Sequence, residues 1–116
     1  MANLPYADFL NAAWRKLPFE HFRDGILVHW LMKGDSGEPS VAILKYQPGA
    51  SVPMHRHAGL ETIMVLDGAQ SDENGTYEAG AFVLNAKDSE HSVWSKDGCV
   101  VLIQWDLPVV ILGEGK

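Results

Sequence analysis

The sequence predicts an all-β protein, built as an antiparallel sandwich or barrel. Short runs of β-forming residues follow Gly25, and glycine-rich turns separate them at near-regular spacing. No segment between these runs has the length and periodicity of a helix, which disfavours a parallel α/β sheet. The chain has 116 residues, of which 47% are hydrophobic and 21% charged, so one globular domain accounts for it.

A single helix is predicted near the N-terminus, over residues 6–17. Pro5 suits a first helical turn and Pro18 ends the segment. We expect residues 1–39 to form an arm, made of this helix and the first strand, that packs on a barrel of residues 40–116, with one domain overall. The apolar residues at helical spacing are Tyr6, Phe9, Leu10, Ala13, Trp14 and Leu17.

The remaining elements are strands joined by tight turns. Asn74-Gly75 and Lys96-Asp97-Gly98 are typical of hairpin connections, because asparagine and glycine tolerate positive φ. The tail of residues 107–112 is too apolar to lie exposed, so it either completes the sheet or packs against a second subunit. The predicted strands are 26–33, 40–47, 52–57, 60–66, 81–85, 91–95 and 99–105.

Charge and cysteine content exclude several kinds of partner. The formal net charge of −6 is the wrong sign for binding nucleic acid or an anionic membrane. No apolar stretch approaches the roughly 20 residues of a membrane span, and the N-terminus lacks the basic start of a signal peptide. Cys99 is the only cysteine, which rules out an intrachain disulfide. We expect a soluble, cytoplasmic protein.

Three histidines and a glutamate form the candidate site. His55 and His57 alternate on a predicted strand, so both side chains can enter the same interior. Glu61 follows the Ala58-Gly59 turn, and His91 begins another strand. Burying imidazoles and a carboxylate together is costly unless something pairs with them, and a divalent cation removes these penalties at once.

These residues carry a family resemblance. The stretch from Gly49 to Gly68 reads G-x5-H-x-H-x3-E-x6-G and resembles the first motif of the cupin superfamily at every fixed position. Gly80, followed by His91, resembles the second motif in part. The resemblance implies a jelly-roll barrel, the double-stranded β-helix. The departures from the second motif are Ala86 for proline, Asp88 for glycine and Ser95 for asparagine.

The segment from Ser71 to Gly80, with Gly98-Cys99, resembles the cupin domain of ChrR-type anti-sigma factors. That resemblance implies a zinc ion held by four ligands. ChrR-type proteins also carry an N-terminal zinc-binding domain that grips a sigma factor, and this sequence has no counterpart of it. Direct sequestration of a sigma factor is therefore not expected. The implied ligands are His55, His57, Glu61 and His91.

Two functions remain open from the sequence, and a catalytic role is undecided. The first is a regulatory or small-ligand-binding cupin, whose metal stabilises the barrel or receives a small molecule or anion. The second is a dioxygenase with Fe(II), since ligand types alone also suit Fe, Ni or Mn. A third alternative is an empty barrel used only for dimerisation. A homodimer formed through the β edges and residues 107–112 is expected.

The aromatic and methionine residues near the motifs are interpreted as packing residues. Met54 and Met64 are expected to fill gaps in the core. Trp94 lies on the face opposite His91 by strand parity, so it is placed outside the metal pocket. The aromatic residues expected in the core are Trp30, Tyr46, Phe82, Trp94 and Trp105.

Overall fold

A computed structural model describes residues 3–112, and this part of the chain contains ten β-strands and two short 3-10 turns. The all-β expectation is confirmed. The strands are β1 (Glu20–Arg23), β2 (Ile26–Met32), β3 (Ser40–Tyr46), β4 (Ser51–Arg56), β5 (Glu61–Asp72), β6 (Gly75–Glu78), β7 (Phe82–Asn85), β8 (Glu90–Trp94), β9 (Cys99–Trp105) and β10 (Val110–Ile111).

The strands form one curled antiparallel sheet with the jelly-roll architecture. Along the sheet the order is β1-β2-β3-β9-β5-β8-β4-β10, while β6 and β7 pair with β5 beside this path. The twelve-residue β5 belongs to both halves: its first part pairs with β7 and β9, and its last part with β6 and β8. The sheet therefore folds over along β5, and its two halves enclose the interior.

A β-bulge in β5 changes which residues face that interior. The pairing of β5 with β9 shifts register between Val65 and Asp67. Before the bulge, Glu61 and the alternate residues up to Val65 are buried; after it, the buried residues are Gln70 and Asp72. An extra residue in one strand reverses the alternation beyond it. The bulge thus directs side chains from both ends of β5 into the same barrel.

The main core lies between the two halves of the sheet and is aliphatic and aromatic. Its fully buried members include Ile26, Val28 and Val101. A second, smaller cluster forms on the outer face of the sheet, where Trp14 packs on Ile43 and Val100. The N-terminal segment is therefore held by a buried tryptophan rather than by a strand.

The predicted N-terminal helix over residues 6–17 is reduced to short helical turns. The segment forms two 3-10 turns, Phe9–Asn11 and Ala13–Lys16, separated by Ala12 in the left-handed conformation (φ 62°). A left-handed residue interrupts the hydrogen bonds of an α-helix. Leu10, which the periodicity placed on an apolar face, is 99% exposed, so most of that periodic pattern is not buried.

The apolar tail completes the sheet as far as it is described. β10 pairs with β4, and Leu112 N–H donates to the Met54 carbonyl. Three residues expected in the core are instead substantially exposed: Met54, Phe82 and Trp94. Within residues 3–112, none of the helical turns has the length or apolar character needed to cross a membrane.

Gly49 and Gly68, the first and last residues of the first cupin motif, test how positive φ and steric space at a glycine contribute to stability. Gly68 has φ +72°, and a Cβ there would lie 2.3 Å from the Gly98 carbonyl oxygen; Gly49 has φ +84° with nothing within 4 Å. We expect Gly68→Ala to destabilise the fold by about 2 kcal/mol or more and Gly49→Ala by about 1 kcal/mol. Urea unfolding of both variants measures the difference, and equal losses would contradict the steric explanation.

Candidate metal centre

The structure brings the four sequence-predicted residues together at one end of the barrel interior. His55 lies on β4 directly opposite His91 on β8. His57 follows the end of β4, and Glu61 begins β5. All four side chains are buried. The three imidazole rings have centroids 4.7 to 5.1 Å apart, and one nitrogen of each lies within 4.8 Å of the others.

Each imidazole is oriented by an acceptor at its Nδ1 atom. His55 Nδ1 lies 2.8 Å from the Pro53 carbonyl, and His57 Nδ1 lies 3.0 Å from the Ser89 carbonyl. A carbonyl oxygen only accepts, so both Nδ1 atoms carry the proton. In the neutral imidazole the Nε2 atom then presents a lone pair. Burial lowers the pKa of His55, which favours the same neutral form.

The Nε2 atoms of His57 and His91 are buried and make no hydrogen bond. His57 Nε2 lies 3.2 Å from Glu61 Oε1, which is ion-pair distance without hydrogen-bond geometry. Since the ring proton is on Nδ1, this contact places a nitrogen lone pair against a carboxylate oxygen. Two such acceptors repel one another unless a cation lies between them. The donor set fits a divalent metal ion.

Glu61 is fixed by its neighbours on the sheet. Asn85 on β7 lies opposite it, and the Asn85 Nδ2 amide donates to Glu61 Oε1 at 3.0 Å. Trp105 on β9 lies opposite it on the other side. The backbone of Glu61 is therefore paired on both sides, and one charge-assisted hydrogen bond from Asn85 orients its carboxylate.

His91 has a carboxylate partner that the sequence did not single out. Asp72 Oδ2 accepts from His91 Nδ1 at 3.1 Å, and Asp72 Oδ1 accepts from the Tyr77 hydroxyl at 2.9 Å and from the Asn74 N–H at 2.8 Å. Burial alone would raise the pKa of Asp72, but these hydrogen bonds lower it below its usual value. An ionised carboxylate behind a ligand imidazole fixes its tautomer and raises its basicity.

The turn before His91 keeps its shape despite the departures from the cupin motif. Asp88, at the position of the usual glycine, adopts φ +73°, and its N–H donates to the His57 carbonyl at 2.7 Å. Aspartate tolerates this left-handed conformation better than most residues. Ser95, at the position of the usual asparagine, is fully buried and donates to the Ala69 carbonyl.

A cavity of about 360 Å³ reaches the site from the barrel interior. His55, Glu61 and His91 line one part of it, so the imidazole cluster is accessible to a small molecule. Tyr46 and Gln70, which sequence reasoning gave no functional role, line it as well. Burial raises the pKa of Tyr46 far above its ordinary value, with smaller contributions from Cys99 and Glu61, so its hydroxyl stays protonated.

Comparisons with known proteins agree with this architecture. A family model described as the ChrR cupin-like domain matches residues 8–106. The anti-sigma-E factor ChrR of Cereibacter sphaeroides is 30% identical over 110 residues, which are 93% of this chain and 51% of that protein. The chain thus spans about half the length of this relative.

Solved structures share the fold. The complex of Rhodobacter sphaeroides SigE with the anti-sigma factor ChrR matches with 28% identity and a TM-score of 0.73, covering 90% of this chain and 57% of the matched chain. An acetylacetone dioxygenase from Acinetobacter johnsonii matches with a TM-score of 0.76 over 100% of this chain and 81% of its own, at 17% identity. The second likeness extends to the fold alone.

The contact between Asp72 and His91 gives a testable consequence. We expect Asp72→Asn to lower the affinity for a divalent cation by about 10- to 100-fold, because the imidazole loses its anionic partner. Isothermal titration of the metal-free protein with Zn²⁺ measures this.

Glu73→Gln is the matched control. Glu73 also joins β5 to β8, by accepting hydrogen bonds from Ser92 N–H and its hydroxyl, but it touches no imidazole. Its substitution should leave zinc affinity within about twofold of the wild type, since a surface contact contributes little to a buried site. Equal losses in both variants would assign Asp72 a purely structural role.

Proposed function

The chain belongs to the ChrR cupin-like domain family, and from that membership we propose that it binds one divalent metal ion through His55, His57, Glu61 and His91. The observation that carries this proposal is the 3.2 Å distance between His57 Nε2 and Glu61 Oε1, two buried ligand atoms that make no hydrogen bond with each other. A cation between these atoms converts repulsion into coordination.

We propose zinc as the bound metal. Three neutral imidazoles and one carboxylate suit Zn²⁺, and they suit Fe(II), Ni or Mn in a similar geometry. The resemblance of residues 71–80 to ChrR-type cupins favours zinc among these. The single Cys99 is buried and lies outside this ligand set, so nitrogen and oxygen donors alone define the preference.

The site is proposed to receive a small molecule or anion, in a regulatory or ligand-binding role. The cavity gives such a ligand access to the cluster, where a bound cation would supply a Lewis-acid position. Apart from Glu61 and the imidazoles, the charged side chains among the described residues that line it are Arg23 and Lys33. A second carboxylate to act as general acid or base is therefore missing from this lining, which favours binding over catalysis.

The related anti-sigma factor ChrR forms a complex with SigE. For this chain we propose a small-molecule partner and a cytoplasmic location, consistent with one unpaired cysteine and an acidic surface. Nucleic acid and membrane surfaces are not proposed as partners, because the net charge of −6 opposes both.

A metal-dependent dioxygenase is the second candidate, and the cavity beside the ligand set is the observation that favours it. An open coordination position facing an apolar pocket is what O₂ chemistry at Fe(II) requires. Anaerobic loading with Fe(II), followed by measurement of O₂ uptake with candidate substrates, distinguishes this function. Uptake above that of Fe(II) in buffer would favour the enzyme.

The ligand assignment predicts which substitutions remove the metal. His55→Ala and His91→Ala should each abolish stoichiometric zinc, because a three-ligand remnant binds far more weakly. Elemental analysis of the purified variants measures zinc per chain. Wild-type protein should also gain about 2.7 kcal/mol of stability when free zinc is 100 times the dissociation constant.

His29→Ala is the control for these variants. Its Nδ1 lies 2.7 Å from the Pro18 carbonyl, and its ring packs on Phe19, on the outer side of the sheet. Zinc content should remain at the wild-type level in this variant. Unchanged zinc in His55→Ala and His91→Ala would overturn the ligand assignment, whatever the control shows.

The homodimer through the β edges and residues 107–112 stays a prediction, and among those edges we propose β7 as the main contact. Within the described residues, β7 pairs with β5 on one side only, and its outward Phe82 and Leu84 are 57% and 63% exposed. Light scattering should give a dimer mass for the wild type and a monomer for Leu84→Lys, while Leu10→Lys, at another exposed position, stays dimeric. A monomeric wild type at high concentration would contradict the proposal.

A further inference from the structure

We propose that the cavity beside the imidazole cluster binds a small planar carboxylate with an aromatic or conjugated body. The inference rests on the proposed metal-binding function, and it adds the chemical class of the ligand. Four properties of the cavity carry it: an aromatic wall, an unpartnered amide, cationic side chains and a size that fits one small molecule. The aromatic wall, the amide and the cationic side chains belong to residues outside the proposed metal ligands.

The aromatic wall consists of Phe22, Trp30 and Trp105, which line the same cavity. Their ring centroids lie 5.9 to 6.5 Å apart, and the rings are tilted or edge-on to one another. Trp105 lies directly opposite Glu61 on the neighbouring strand. The wall therefore begins beside the metal position, where the body of a coordinated ligand would contact aromatic faces and edges.

Gln70 contributes a buried amide whose Nε2 has no acceptor at hydrogen-bond distance and angle. The residue is 3% exposed and lines the cavity. Its side chain lies near the Tyr46 hydroxyl, but its Nε2 makes no hydrogen bond at an acceptable distance and angle. A buried amide without a partner is costly, and it is retained where a ligand acceptor completes it. The ligand should carry an oxygen that accepts from this amide.

The charges around the cavity favour an anion. Arg23 and Lys33 line it, and Lys33 Nζ lies 5.1 Å from the centre of the Trp30 ring. The chain as a whole is acidic, with a net charge of −6, so two cationic side chains at one cavity make the local charge more positive than the average. A divalent cation with three neutral imidazoles and one carboxylate keeps a positive charge, which a monoanion neutralises.

The size of the cavity fits a single small molecule. Its volume of about 360 Å³ lies near the lower end of the range for organic ligand sites, roughly 300–1,000 Å³. A peptide or a nucleotide would exceed it. A ring carrying one carboxylate leaves room for a modest substituent.

The experiment compares three carboxylates that share one metal-binding group: benzoate, cyclohexanecarboxylate and acetate. Isothermal titration uses the full chain loaded with zinc, after elemental analysis has established the zinc content. We expect benzoate to bind about tenfold more tightly than acetate, and more tightly than cyclohexanecarboxylate, because the ring meets aromatic edges.

Two variants test the residues that carry the proposal. Trp30→Ala should lose most of the tenfold preference for benzoate over acetate, whereas Trp94→Ala, a tryptophan outside the cavity, should keep it. Gln70→Leu should weaken benzoate binding several-fold and raise the melting temperature of the ligand-free protein, since it removes the unpartnered donor. A residue with only a structural role would not combine weaker benzoate binding with a higher melting temperature when it is replaced.

The outcomes separate this inference from the function on which it rests. Absence of zinc from the wild type would overturn the proposed function and, with it, this inference. Bound zinc with equal affinity for benzoate and acetate would overturn the ligand class alone. Gln70→Leu that loses stability and keeps benzoate affinity would assign the amide to Tyr46 and remove it from the ligand site.

Discussion

The fold depends on how one buried group of four polar side chains is neutralised. Three imidazoles and a carboxylate lie together in the barrel interior, and each is oriented by the backbone or by another side chain. These contacts hold the Nδ1 protons outward, so the lone pairs of Nε2 face inward. The proposed metal ion would compensate their burial, because a charged group without a partner costs several kcal/mol, to order of magnitude.

The long strand β5 connects this centre to the rest of the barrel. Its first residue is Glu61 and its last is Asp72, whose carboxylate accepts from His91 Nδ1 inside the barrel. The two carboxylates belong to the same interior only because the bulge after Val65 reverses the alternation of the strand. Because of the bulge, β5 contributes to the site twice. Glu61 at its start is a candidate ligand, and Asp72 at its end positions the candidate ligand His91.

The fold and the histidine cluster were predictable from the sequence because both depend on local signals. Alternation on β4 places His55 and His57 together, and short β runs between glycine turns indicate the barrel. The role of Asp72 was not predicted. It lies eleven residues after Glu61, so regular alternation along the strand would direct its side chain to the outer face. The bulge that reverses this alternation leaves no clear pattern in the sequence. The N-terminal segment has apolar residues at helical spacing, but the left-handed Ala12 divides it into two turns. Trp14 is its one buried residue, while Phe9 and Leu17 pack partly buried on the same cluster.

The buried polar atoms that lack a hydrogen-bond partner lie in one region of the barrel. Among the described residues, the buried side-chain nitrogens that make no hydrogen bond are His57 Nε2, His91 Nε2 and Gln70 Nε2. Each costs about 1–3 kcal/mol when nothing completes it. All three lie at the imidazole cluster or in the cavity beside it, while the remainder of the core satisfies its polar groups. Because all three atoms lie at the imidazole cluster or in the cavity beside it, they support the proposed binding site rather than a general defect of packing.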